Sequence, residues 1–178
     1  MADGIAIRPA VPGDEHALGT VGAATFLDSY AEIIPGPDIV THAHNAHSPA
    51  VYHGYLTHTD PRYACWLAEY KATGAPIGYA VTTAVEAPTV GQPDDIELKR
   101  IYVLSRFHGT GTGRELMIAC VQHARHMGAK RILLGTYDQN HRAVAFYRRA
   151  GFTQIGTRKF KVGTQLFDDI IMALDLTG

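Results

Sequence analysis

The chain has 178 residues, enough to bury a substantial core yet short of two full domains, so a single domain over residues 1–178 is the default. With 16 Lys and Arg against 17 Asp and Glu, it has no basic stripe for nucleic acid and no acidic tail, and binding must come from a local site. No stretch approaches membrane-spanning length, and Met1-Ala2-Asp3-Gly4 is not a signal start. Cys65 and Cys120 lack metal or redox spacing and read as buried free thiols, so the expectation is a cytoplasmic protein without a membrane partner.

In chain order, residues 5–8 read as a strand, and Pro12-Gly13-Asp14 starts a helix that runs past Phe26 toward Tyr30 until Pro35-Gly36-Pro37 breaks it. Asp38 is placed to cap a second helix through about Asn45, and Ser48-Pro49 opens a third through about His58. Residues 63–70 and 77–85 predict an antiparallel hairpin across the turn 71–75, and a loop over 86–93 leads into the strand Leu98-Lys99-Arg100-Ile101-Tyr102-Val103. A helix over 111–127 follows, with Leu116, Cys120, Val121 and Ala124 inward and Gly128 as its stop. Residues 131–136 are a strand. Asn140 caps a short helix whose positions Ala143, Phe146, Tyr147 and Ala150 share an apolar face, and Gly151 ends it. Residues 153–161 and 165–174 form a last hairpin. The order β-α-α-α-β-β-β-α-β-α-β-β describes an α/β protein with a mixed sheet.

The most informative segment is His108-Gly109-Thr110-Gly111-Thr112-Gly113-Arg114, a side-chain-poor loop between a strand and an amphipathic helix. A helix start offers free N–H groups and the positive end of the macrodipole, which suits a phosphate-bearing ligand. The dinucleotide fingerprint G-x-G-x-x-G fails, because Arg114 occupies the third glycine position; the P-loop G-x-x-x-x-G-K-[ST] fails as well. A plain strand-to-helix turn is the bland alternative, but three glycines alternating with threonines exceed what a turn needs.

This loop resembles motif A of the Gcn5-related N-acetyltransferases (GNAT), with His108 where Arg or Gln is usual. Asn140-His141-Arg142-Ala143-Val144-Ala145-Phe146-Tyr147-Arg148-Arg149-Ala150-Gly151-Phe152 resembles motif B of the same family at every marked position. The resemblance implies a central, mostly antiparallel sheet flanked by helices, acetyl-CoA as co-substrate and no metal, and a small-molecule amine as acceptor, with a homodimer left open. It implies cofactor contacts from Ile101, Tyr102, Val103, His108, Gly109, Thr110, Gly111, Thr112, Gly113, Arg114, Asn140 and Phe146.

Acetyl transfer needs a fixed thioester, a polarised carbonyl, a deprotonated amine and a proton for the leaving thiolate. If the motif A strand and its neighbour splay, the backbone of Ile101 and Val103 can pair with a pantetheine arm, and the amide of Tyr102 or Val103 can polarise the carbonyl. Tyr147 matches the family tyrosine that protonates the thiolate, against the alternative of a core tyrosine with a satisfied hydroxyl. Glu97 is placed to take the amine proton, against the alternative of an exposed loop-end carboxylate beside Asp94 and Asp95.

Within the family the chain resembles PaiA-type spermidine/spermine N-acetyltransferases through Thr25-Phe26-Leu27-Asp28-Ser29-Tyr30, Glu97-Leu98, Leu134-Gly135-Thr136-Tyr137-Asp138 and Asp169-Ile170-Ile171-Met172. That resemblance makes Phe26, Asp28 and Tyr30 candidate acceptor contacts and a polyamine the candidate acceptor. Peptide amines or antibiotics as acceptors, a non-catalytic acyl-CoA sensor and a protein-interaction module are the other readings. His42, His44, His47, His53 and His58 crowd the helical first third without metal-ligand spacing, and His123 with His126 read as solvated surface.

Overall fold

The computed structural model describes residues 4–85 and 90–177, so the first part of the expected 86–93 loop lies outside the described residues. The elements are β1 (Ile5–Pro9), α1 (Glu15–Tyr30), α2 (Gly36–Ala46), α3 (Pro49–Leu56), β2 (Ala64–Tyr70), β3 (Ala75–Ala84), β4 (Asp95–Val103), α4 (Thr112–His126), β5 (Arg131–Tyr137), α5 (His141–Arg149), β6 (Thr153–Val162) and β7 (Gln165–Asp175). The strands form one sheet in the order β1-β2-β3-β4-β5-β7-β6. All neighbours are antiparallel except β4 and β5, which the crossover helix α4 joins in parallel.

Period-two alternation divides the core between the sheet faces. On one face Trp66, Ala68, Ala80, Ile96 and Leu98 meet Leu116, Met117, Cys120 and Ala124 of α4, together with Tyr147 of α5. On the other, Cys65, Leu67, Tyr79 and Val81 meet Leu18 and Val21 of α1 and Tyr52 of α3. Both cysteines are buried and free, and burial pushes the Cys65 thiol up to about 12.

Three local expectations are corrected. Asp38 does not cap α2, which starts at Gly36 behind Pro35; its carboxylate instead accepts from the backbone N–H and hydroxyl of Thr164, tying α2 to the β6–β7 turn. The third helix ends at Leu56 rather than near His58. His123 is not a solvated surface residue: its ring lies 5.3 Å from that of Trp66, and its Nε2 is buried.

The helical first third packs around one polar chain. Arg100 donates to the Tyr52 hydroxyl at 3.0 Å, and this hydroxyl and His47 Nδ1 lie 2.8 Å apart. The Tyr52 hydroxyl thus links a fixed cation on one side to an imidazole on the other. Burial, then the charge of Arg100, pushes the His47 pKa down from 6.5 to about 3. Gly22 on α1 makes room for the pair, since a Cβ there would collide with the Tyr52 hydroxyl and His47 Nδ1.

Two outcomes follow from this packing. Gly22→Ala should destabilise the fold by about 1–3 kcal/mol in denaturant unfolding, because the atoms it meets belong to a hydrogen-bonded pair that cannot give way cheaply. The unfolded chain takes up a proton on His47 below about pH 6.5 while the folded chain refuses it until about pH 3, so stability falls as pH drops through that window, by up to about 1.4 kcal/mol per pH unit. Unfolding of wild type and His47→Gln at pH 7 and pH 4.5 should show a smaller acid loss in the variant; equal losses would mean that His47 titrates normally.

Candidate active site

β4 and β5 are joined at one end only. Their parallel pairing covers Asp95 with Arg131, Ile96 with Ile132 and Glu97 with Leu133, then stops, although β4 continues to Val103 and β5 to Tyr137. The closed end is clamped by Arg131, which donates to both oxygens of the fully buried Asp95 at 3.1 and 2.6 Å. Just beyond it β4 carries an extra residue, Lys99, because Val81 of β3 faces Arg100 while Thr82 faces Leu98. A bulge bends and overtwists its strand, which turns the upper half of β4 away from β5.

Backbone direction along the open edge follows from one bond. The Leu104 N–H donates to the Ile77 carbonyl of β3 at 2.9 Å, and ladder groups alternate, so Tyr102 also points its amide at β3 while Ile101 and Val103 point theirs into the gap. Of the two amides expected to polarise a carbonyl, that of Val103 faces the gap.

The loop after β4 delivers the chain to α4 through two left-handed glycines, Gly109 at φ 81° and Gly111 at φ 89°. Neither would meet an atom within 4 Å through a Cβ, so both are required by conformation and leave the surface open above them. Thr110 is turned inward, its hydroxyl donating to the Phe107 carbonyl at 2.8 Å and lying 2.7 Å from that of Thr112. Arg114 stands exposed on the first turn of α4. His108 Nε2 is 2.7 Å from the Val103 carbonyl and therefore carries a proton that it donates there. Phe146 of α5 lies under Gly113, at 3.7 Å from where its Cβ would be, so the starts of α4 and α5 are neighbours.

Three phenols surround the gap. The Tyr30 and Tyr102 hydroxyls are 3.4 Å apart, and Tyr147 is close enough to both to perturb them. Burial, then the neighbouring Tyr30, raises the Tyr147 pKa well above the usual 10; burial likewise raises Tyr102 to about 12. Asn140 caps α5, accepting from the Ala143 N–H at 3.1 Å, and its side chain acts on Tyr30.

Glu97 is not a loop-end carboxylate: it lies inside β4 and is 4% exposed. One of its oxygens is 3.7 Å from Arg158, whose Nε donates to Asp169 at 3.2 Å. Burial raises the Asp169 pKa, with the charge of Arg158 acting against it. Phe26 stacks on His42 at 4.4 Å and tilts against Tyr30 at 4.9 Å, on the sheet face that also carries Tyr102. Asp28 stands apart, accepting from the Ser105 N–H at 2.8 Å and hydroxyl at 3.1 Å beside an open cleft of about 740 Å³. Among the described residues no three His, Cys, Asp or Glu side chains gather as metal ligands, and no helix is long and apolar enough to cross a membrane.

The structure thus brings Tyr30, Tyr102, Tyr147 and Asn140 together around the gap, sets Glu97 on the same strand, and leaves Asp28 outside. Sequence reasoning passed over Arg100, Tyr52, Arg158 and Asp169. A tight turn at Gly163-Thr164 puts Arg158 directly opposite Asp169 in the β6–β7 register, a count the hairpin pattern already allowed; nothing local in the sequence brings Arg158 to Glu97.

Residues 14–152 match the model of the acetyltransferase (GNAT) family. An uncharacterized N-acetyltransferase of Mycobacterium tuberculosis is 33% identical over 163 residues, covering 92% of this chain and 98% of the relative. Among solved structures, the ribosomal-protein-alanine N-acetyltransferase of Brucella melitensis aligns with a TM-score of 0.74 at 25% identity, over 96% of this chain and 99% of that one. The PaiA N-acetyltransferase of Thermoplasma acidophilum, solved in complex with coenzyme A, aligns with a TM-score of 0.74 at 17% identity, over 96% and 98%. Since the family pattern spans most of the chain and the sheet has the mixed architecture of these neighbours, the protein belongs to the GNAT family and is an N-acetyltransferase.

Proposed function

We propose that the protein transfers the acetyl group of acetyl-CoA to the primary amine of a small molecule, and that the gap between β4 and β5 is where the transfer occurs. The observation that carries this reading is the open edge of β4, which runs directly into a left-handed glycine loop at the start of α4 with Tyr147 beside it. An extended amide-bearing arm can continue the sheet along Ile101 and Val103, and a pyrophosphate then meets the free N–H groups from Gly111 to Arg114. Because His108 already occupies the Val103 carbonyl, the arm is left with the Val103 N–H and the Ile101 backbone.

In this reading the Val103 N–H polarises the thioester carbonyl, the amine nitrogen forms the new C–N bond as the C–S bond breaks, and Tyr147 gives its phenolic proton to the departing thiolate. The raised pKa keeps Tyr147 protonated at neutral pH. Glu97, buried beside Arg158, receives the amine proton directly or through water. Spermidine is the acceptor that the PaiA-type resemblance suggests, although Asp28, the carboxylate among the candidate acceptor contacts, already accepts from the Ser105 N–H and hydroxyl.

Acetyl-CoA at about a hundred times its dissociation constant should stabilise the fold by roughly 2.7 kcal/mol, with NAD or ATP adding much less. Gly111→Val should abolish that shift in a thermal melt and cost about 1–2 kcal/mol by itself, since a β-branched residue is strained at φ 89°. Equal shifts from all three nucleotides would sink the cofactor assignment.

Tyr147→Phe should lower turnover about a hundredfold to ten-thousandfold with acetyl-CoA affinity nearly unchanged, because a general acid is lost while the ring stays packed. Steady-state rates paired with a binding isotherm separate the two; full turnover in the variant would assign the proton to another group.

A further inference from the structure

We propose that the acceptor carries a carboxylate on the same small molecule as its reactive amine, and that Arg100 binds it. The inference rests on the acetyltransferase reading above and names the class of acceptor for that site.

Arg100 lies on β4 two residues before Tyr102, on the same sheet face and about 7 Å away along the strand. Tyr102 in turn neighbours Tyr30 and Tyr147, so the guanidinium flanks the place assigned to the reaction. It is half-buried. Its hydrogen bond among the described residues goes from Nη1 to the Tyr52 hydroxyl, and it faces the rings of Tyr52 and Tyr55 at 5.4 and 5.7 Å. Among the described residues no carboxylate comes within ion-pair distance of it. The other half-buried arginines, Arg8, Arg62, Arg131 and Arg158, each hold at least one. A guanidinium has five N–H donors in a planar fork shaped for a carboxylate, and burying it without an anion is costly unless an anion arrives.

A second group beside it is weakly held. Tyr79 on β3 is fully buried, and among the described residues its hydroxyl makes no hydrogen bond of good geometry, with the Tyr52 hydroxyl the nearest group acting on it. The Tyr79 ring stacks on Tyr102 at 6.0 Å and meets Tyr52 edge-on at 5.9 Å, which puts it in the same cluster as Arg100. The guanidinium N–H groups not given to Tyr52 and the weakly held Tyr79 phenol together are a donor set for one carboxylate. His42 and His47, held neutral by burial and by Arg100, contribute no counter-charge. Glu97 and Asp169 do not compensate Arg100 either, since both face Arg158. Arg100 is thus the fixed positive charge on this side of Tyr102, with Asp169 acting on the same phenol in the opposite sense, and it attracts a carboxylate and repels a second cation.

The test compares acceptors that differ only in this group: phenylalanine, its carboxamide and phenethylamine, the same three forms of several other amino acids, and spermidine. Wild type should acetylate the acids with kcat/KM at least about thirtyfold above the amides, the amines and spermidine. Arg100→Gln should bring the acid-to-amide ratio within about threefold, and Arg100→Lys should keep part of it. Tyr79→Phe should raise KM for the acids more than it lowers kcat. Comparable rates on acids, amides and amines in the wild type overturn the proposal, as does an Arg100→Gln variant that loses acid and amide activity in equal proportion. Should Arg100→Gln fail to fold, inhibition of wild type by an N-acetyl amino acid against its amide carries the same contrast. An acetyl-CoA thermal shift without acetylation of any carboxylated amine overturns this proposal alone. The absence of both the shift and any transfer overturns the acetyltransferase reading beneath it.

Discussion

The pairing of β4 with β5 has to begin and has to stop. The buried ion pair of Asp95 with Arg131 holds the two strands in register for three residue pairs, and removing one partner of such a pair leaves an uncompensated charge in the core. The bulge at Lys99 then turns β4 aside before a fourth pair forms. If the strands stayed together, the Ile101 and Val103 backbone groups would be spent on β5, as in any central strand, and no edge would lead to the glycine loop. If the clamp were absent, nothing would fix where the gap opens. Every feature of the site, from the aim of the Val103 amide to the company of Tyr147, inherits its position from that boundary.

Dryness is the second constraint on this site. Tyr102 and Tyr147 are both pushed upward first by burial, so the gap is lined by neutral donors in a low-dielectric wall. A phenol that resists ionisation is protonated at neutral pH, and a thiolate expelled into the same medium is a stronger base than it is in water. The environment that makes the phenol a reluctant acid in solution therefore suits it to this partner. Nearby, α2 is tied to the β6–β7 turn through Asp38 and Thr164, and Phe26, Ile34, Ile39 and Val162 form an apolar cluster against Tyr30.

Much of this was legible from local pattern. Glycines at 109 and 111, the Asn140 cap and the Ala143, Phe146, Tyr147 and Ala150 face each depend on residues within one or two turns, and each is where the pattern puts it. The misplaced features depended on distant partners. Asp38 looked like a cap because Thr164 is far along the chain. Glu97 reads as a loop end until β4 starts two residues earlier, at Asp95, where the chain pairs with β5. His123 reads as exposed from its helix spacing, yet Trp66 of β2 covers it. The histidine-rich first third carried no readable role because His47 acquires one only through Tyr52, Arg100 and the small size of Gly22 on another helix.

Charge placement around the gap shows how the two sides of the site divide their work. Arg158 offsets one of the two carboxylate charges of Glu97 and Asp169 on the β6–β7 side, leaving that cluster net negative. On the β3 side Arg100 stands against phenols and neutral imidazoles, with only Tyr52 as a hydrogen-bond partner among the described residues. A zwitterionic amino acid fits that asymmetry in one orientation: its carboxylate toward Arg100, and its ammonium toward the carboxylates that can relieve it of a proton. A polyamine would have to place a second positive charge beside an uncompensated arginine in a medium that screens poorly. The same fixed charges that orient one class of acceptor thus work against the other.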